Sequence, residues 1–168
     1  MFRFPRSIQR GEKNLIFKGR YSHTNWGSPL ALFVETLVRV ADNSWIWINF
    51  LIDLGADGTY LPFEFIERFG IQLEEAKTED NVSGVGGQRV EHVPFITQLR
   101  FESNGNRRTF DLEIGIFTRE ESLDLPVLGR DVMNFFTLLC DAEANLVWLV
   151  DEAERGKILQ LCNDIDSL

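Results

Sequence analysis

The chain has 168 residues, with 44% hydrophobic and 26% charged content, which suits one globular domain with modest extensions and a sizeable core. Seventeen Lys and Arg against 26 Asp and Glu give a net charge of −9, which repels phosphate backbones and argues against nucleic acid as a partner. Two isolated histidines and two distant cysteines lack zinc-ligand spacing, and the expectation is no metal, no cofactor, no membrane span and a cytoplasmic location.

Residues 1–27 are polar and basic without sustained periodicity, and read as an N-terminal extension. From Leu30 the texture changes. Val34, Thr36, Val38 and Val40 alternate with Glu35, Leu37, Arg39 and Ala41, and Asp42-Asn43-Ser44 supplies a turn. The aromatic and β-branched run from Trp45 to Ile52 then completes a predicted hairpin that delivers Asp53. "LPFEFIERFGI" predicts a short helix over 62–69, with Pro62 in its first turn, Gly70 just past its end, and Phe63, Ile66 and Phe69 inward.

Strands resume after Lys77, and Asn104-Gly105 predicts a tight turn between "FITQLRF" and "RRTFDLEIGIF". The Arg107-Arg108 pair in that polar turn reads as solvated surface. "DLPVLGRDVMNFFTLLCDAEANLVWLV" predicts a strand, a glycine turn, a short helix and a last strand pair turning at Asp141 to Asn145. Cys140, in apolar company, reads as a small core residue. Ile158, Leu161, Cys162 and Ile165 have helical spacing, so residues 151–168 form a tail with a docked amphipathic helix. This order does not alternate strand and helix, and the expected class is all-β.

Three stretches carry chemistry together. Asp53 follows Phe50-Leu51-Ile52, so its carboxylate is expected at a buried strand end, where burial is costly unless hydrogen bonds or a reaction compensate. Taken alone, Asp-Leu-Gly merely closes a strand with a turn, but Gly55 allows the backbone to bring an N–H toward that carboxylate. "NVSGVGGQ", residues 81–88, is a glycine-rich hairpin tip, either plainly flexible or able to close over an extended peptide. It is not a phosphate loop, since no Lys-Ser/Thr follows it. In "LPVLGRDVMNFF" an apolar strand meets Gly129, Arg130 and Asp131, and Asp57 is the candidate carboxylate for Arg130, unless Arg130 makes only an ordinary surface pair.

In order and spacing, these stretches resemble the retropepsin-like aspartic proteases over about residues 30–150. That family carries Asp-Thr/Ser-Gly-Ala, often with Asp-x-Thr after it, then a glycine-rich flap, then an apolar pair with Gly-Arg-Asp/Asn before a short helix. The counterparts here are Asp53-Leu54-Gly55-Ala56-Asp57-Gly58-Thr59, Gly84-Val85-Gly86-Gly87 and Val127-Leu128-Gly129-Arg130-Asp131. The resemblance implies a small closed all-β barrel with short helices spanning 28–150, and Asp53 as the catalytic residue. It implies that Gly55, Ala56, Asp57 and the flap residues contact a peptide or protein substrate. Leu54, Thr59, Gly129, Arg130 and Asp131 are structural in that scheme, with Asp57 paired to Arg130. Only one such aspartate motif is present, so the implied site needs Asp53 from each subunit of a homodimer.

Leu54 departs from the family pattern. The Thr or Ser expected there hydrogen-bonds across the dimer, and leucine has neither donor nor acceptor and adds bulk at the two-fold axis. Two readings follow: a homodimeric aspartic endopeptidase weakened by Leu54, or a catalytically impaired peptide-binding or dimerisation module that retains the fold.

Overall fold

A computed structural model describes residues 8–10, 16–83, 89–120, 125–156 and 158–160. The strands are β1 Ile8–Arg10, β2 Ile16–His23, β3 Leu30–Arg39, β4 Trp45–Ile52, β5 Tyr60–Leu61, β6 Glu79–Ser83, β7 Arg89–Ser103, β8 Asn106–Phe117, β9 Val127–Leu128, β10 Phe136–Asp141 and β11 Leu146–Asp151. Two four-residue helices, α1 Phe65–Arg68 and α2 Arg130–Met133, interrupt them. The protein is all-β.

The hairpins form where turn chemistry permits. Asn43 takes a positive φ of 68° between β3 and β4, and the Ser44 N–H donates to Asp42 Oδ1 at 2.8 Å. Asn104 and Gly105 both have positive φ, 49° and 79°, the pairing that a two-residue turn between right-twisted strands requires. That turn lets β7 and β8 run antiparallel from Ser103↔Asn106 to His92↔Phe117.

The pairings close a circuit. From β3 the hydrogen-bonded path runs through β4, β9, β5, β8 and β7, and β7 returns to β3 at Leu37↔Arg100 and Val38↔Leu99. Inside it lie Val34, Val38, Phe50, Leu61, Leu99, Phe101, Phe110, Ile114, Ile116 and Leu128, all buried. Two of the pairings, β4 with β9 and β5 with β8, are parallel and set the strand ends that carry Asp53 and Thr59 beside α2.

The stretch read as an N-terminal extension contributes strands to this sheet. β1 pairs with β8, and β2 joins β11 through Ile16–Gly19 and β3 through Arg20–His23. Gly19 sits where β2 changes partners, and a Cβ there would lie 2.2 Å from the Phe33 carbonyl oxygen. Phe17 is buried in the core between partly buried Ile16 and exposed Lys18, and its inward ring anchors β2.

α1 is shorter than the predicted 62–69 because the chain makes a turn first, with the Phe65 N–H bonded to Pro62 O at 3.1 Å. Phe65 is buried together with Ile66 and Phe69, and Phe63 is partly buried against the core. Its end is a Schellman cap: Gly70 has φ 66°, its N–H donates to Glu67 O, and the Ile71 N–H donates to Ile66 O.

Two expectations fail. Cys140 is exposed, because β10 is paired only to β11 among the described residues and Cys140 lies at its outer end. Arg108 is buried, because it falls on the inward parity of β8 with Phe110, Leu112, Ile114 and Ile116. Of the predicted tail, Asp151 ends β11, Glu152–Glu154 form a 3-10 turn, and residues 155–156 and 158–160 are helical; 157 and 161–168 lie outside the described residues.

Candidate active site

β4 ends at Ile52, whose neighbour in β9 is Leu128, and the Asp53 N–H bonds to Leu128 O at 3.1 Å. The turn that follows is drawn back onto its own aspartate. The Gly55 N–H donates to Asp53 Oδ1 at 2.8 Å, and the Ala56 N–H to Asp53 O at 3.3 Å. A Cβ on Gly55 would lie 3.1 Å from the same Asp53 oxygen, so the glycine permits the close approach. The Asp53 side chain is half-buried in the single chain, not at a fully buried strand end as the sequence suggests, since Leu54 and Gly55 beside it are exposed.

α2 holds the far side of this loop. The Arg130 N–H bonds to Ala56 O at 2.9 Å and the Asp131 N–H to Asp57 O at 3.2 Å. Arg130 also pairs with the Asp57 carboxylate, the partner expected from the sequence, with the two side chains 48% and 64% exposed. Gly129 is indispensable here, because a Cβ would stand 2.1 Å from Gly58 O, a contact with backbone that cannot swing away.

Asp131 and Thr59 form a latch that sequence motifs flag only as two separate structural positions. The Thr59 hydroxyl donates to Asp131 Oδ1 at 2.8 Å, and its N–H donates to Asp131 Oδ2 at 3.0 Å. The same hydroxyl accepts the Gly129 N–H at 3.3 Å, and Asp131 Oδ1 accepts the Val132 N–H at 2.9 Å. Burial pushes the Asp131 carboxyl up to about 6, against the opposing pull of those donated hydrogen bonds. Tyr60, next in the chain, also has a raised pKa, through burial first and the nearby Asp131 charge second.

Asp53, Leu54, Gly55, Ala56, Asp57, Thr59, Gly129, Arg130 and Asp131 are thus brought together by β4, β5, β9 and α2. Gly84, Val85, Gly86 and Gly87 lie outside the described residues. Leu54 stands 54% exposed beside Asp53, a large apolar side chain offered to solvent. Gly58 and Tyr60 were not singled out by sequence reasoning, yet Gly58 is buried under Gly129. Their signal was the tight packing of Gly58 and Gly129, which two glycines seventy-odd residues apart do not announce. Among the described residues no cluster of three or more His, Cys, Asp or Glu side chains is placed to hold a metal ion.

No family model matches the chain, and no curated protein matches it by sequence. Among solved structures it is similar to a retropepsin-like aspartic protease from Rickettsia conorii, with TM-score 0.52 and 18% identity, over 89% of this chain and 96% of that one. The fold is retropepsin-like. A weaker likeness, TM-score 0.40 at 18% identity over 66% of this chain and 92% of the other, is to EIAV protease complexed with the inhibitor HBY-793. In this retropepsin-like chain the loop that presents Asp53 is tied to a helix by two backbone hydrogen bonds, the Arg130–Asp57 ion pair and the Thr59–Asp131 latch.

Proposed function

We propose that the protein is an aspartic endopeptidase that works as a homodimer, with Asp53 from each copy forming one site. The observation that carries this reading is the Asp53 loop itself: a half-exposed carboxylate, oriented by the Gly55 N–H and braced from behind by α2. Such bracing holds the carboxylate through a neutral N–H on Oδ1 and no cation, which keeps it able to take and give a proton.

One carboxylate cannot serve as both acid and base. Two held close share a single proton, since their repulsion prevents both from ionising, and the titration belongs to the pair. The ionised member takes a proton from water as the water oxygen attacks the peptide carbonyl carbon. The protonated member gives its proton to the carbonyl oxygen. As the tetrahedral intermediate collapses and the C–N bond breaks, the carboxyl that took the water proton gives it to the departing nitrogen, and the other carboxylate takes back a proton from the intermediate's hydroxyl. In this reading Gly55, Ala56 and Asp57 contact the extended substrate.

Leu54 replaces a hydroxyl that would bond across the two-fold axis, which makes the dimer the weak point of the enzyme. The test is cleavage of a mixed peptide library from about pH 4 to 7, with solution mass measured alongside. Asp53→Asn abolishes cleavage; cleavage that persists sinks the assignment. Leu54→Thr restores about 1 kcal/mol per hydrogen bond, roughly fivefold tighter association per bond, with higher activity. An inactive wild type and an inactive Leu54→Thr protein would favour the non-catalytic binding module instead.

A further inference from the structure

Behind the Thr59–Asp131 latch lies a buried aromatic cluster that the hydrolysis scheme does not use. Tyr60 stacks on Phe117, with ring centroids 5.4 Å apart and planes at 23°. His92 meets Tyr60 edge-on at 5.8 Å and 88°, and Phe117 at 6.4 Å and 73°. The space is filled to its limit at Gly115, where a Cβ would fall 2.6 Å from Tyr60 Cδ1 and 2.8 Å from His92 Cδ2. At the other end of Tyr60, its hydroxyl abuts Gly58, where a Cβ would lie 3.0 Å from the oxygen. The Gly115 N–H also donates to Thr59 O at 3.0 Å. Tyr60 therefore spans from the imidazole to the loop segment that carries Gly58 and Thr59.

His92 itself is 5% exposed, and among the described residues its Nδ1 has no hydrogen-bond partner. A neutral imidazole tolerates this arrangement at the modest cost of one unpaired acceptor. An imidazolium does not, because it places a desolvated charge inside the aromatic packing.

We propose that Tyr60 and His92 are positioning residues for the Asp53 loop, forming a strut that holds Gly58 and Thr59 only while the His92 imidazole is neutral. The consequence for hydrolysis rests on the peptidase reading; the strut does not. Burial holds the His92 pKa below the usual histidine range, against the opposing influence of Glu79 on β6, the Val90 carbonyl and Glu113 on β8. Tyr60 on β5 faces the ring as a neutral phenol across the same range, its own pKa being raised. A depressed histidine pKa means that the unfolded chain takes up the proton first. The stability it contributes is full above about pH 6.5 and is lost as pH falls from the unfolded value through the lower folded one.

The test is an NMR titration of the intact chain, in which His92 and His23 are the two imidazoles to assign. His92 is expected to titrate below about 6.5, with the backbone amides of Gly58 and Thr59 shifting at the same midpoint. In Tyr60→Leu those two amides no longer follow the imidazole. If His92 titrates at the ordinary value, or titrates without moving Gly58 and Thr59, the strut is overturned. Where cleavage is measurable, His92→Gln moves the acid limb of kcat/KM. Were no variant to cleave, the peptidase reading would fall while the wild-type titration still decided the strut.

Discussion

Two Arg–Asp pairs in this molecule share their chemistry and differ in almost everything else. Arg130 and Asp57 meet at the surface beside the candidate catalytic loop, 48% and 64% exposed. Arg108 and Asp151 meet inside the sheet, 3% and 5% exposed. The inner guanidinium lies over three phenylalanine rings, 4.7 Å from the centroid of Phe110, 5.1 Å from Phe136 and 5.5 Å from Phe135, and donates to Phe135 O at 3.3 Å. Water screens the outer pair, so its attraction is small. The inner pair has lost its hydration, so each charge relies on the groups packed around it, its partner among them. The outer pair is a local brace for one loop. The inner pair joins β8 to the end of β11, so it sets where the C-terminal hairpin sits.

The sharpest way to break this contrast is to remove one inner partner. Arg108→Met takes one charge of the pair away from the buried Asp151 carboxylate, and is expected to destabilise the fold by about 3–5 kcal/mol in urea unfolding. The double replacement Arg108→Met with Asp151→Leu removes both charges and is expected to recover most of that loss, since apolar packing replaces a buried pair at little cost. A double variant as unstable as the single would show that the pair contributes through other contacts of these side chains.

The outer pair was legible in the sequence because both partners lie in motifs, Asp57 four residues beyond Asp53 and Arg130 in Gly-Arg-Asp. The inner pair was not, because Arg108 follows Arg107 at a turn and looks like solvated charge. The available signal was parity. Arg108 is in step with Phe110, Leu112, Ile114 and Ile116 on β8, and Asp151 with Val147 and Leu149 on β11, all buried. The β3–β4 hairpin and the Asn104-Gly105 turn were readable for the converse reason, that local alternation and turn residues decide them. β2 escaped because half of its pairing is with β11, more than a hundred residues away, and no local pattern reports that. The Thr59–Asp131 latch depends on the same long-range closure, across parallel pairings of only two residues each.

Asp131 is intermediate between the two pairs: buried like Asp151, but met by neutral donors and no cation within the latch. With its pKa raised to about 6 by burial, the folded state holds a proton that the unfolded state has released. Stability is therefore expected to fall as pH rises from about 4 through 6, by a total of order 3 kcal/mol. Thermal unfolding of the wild type against Asp131→Asn checks this, since the variant has no carboxyl there and loses that slope. The His92 contribution runs the opposite way, so a wild-type curve that is flat over this range needs both variants to resolve it. A slope unchanged in Asp131→Asn would place the titration elsewhere.

The smallest effect belongs to the outer pair. Arg130→Ala keeps the Arg130 backbone N–H that binds Ala56 O and removes only the guanidinium. In a dilute, monomeric sample the expected loss is under about 1 kcal/mol, and added salt reduces it further. The comparison then turns on protein concentration. If a second copy packs against the Asp53 loop, the Arg130–Asp57 pair loses solvent on association and begins to behave like Arg108–Asp151. The cost of Arg130→Ala would then grow as the sample is concentrated and become insensitive to salt. A cost that stays small and salt-sensitive at every concentration would keep the pair at an open surface, and would place any dimer contact away from α2.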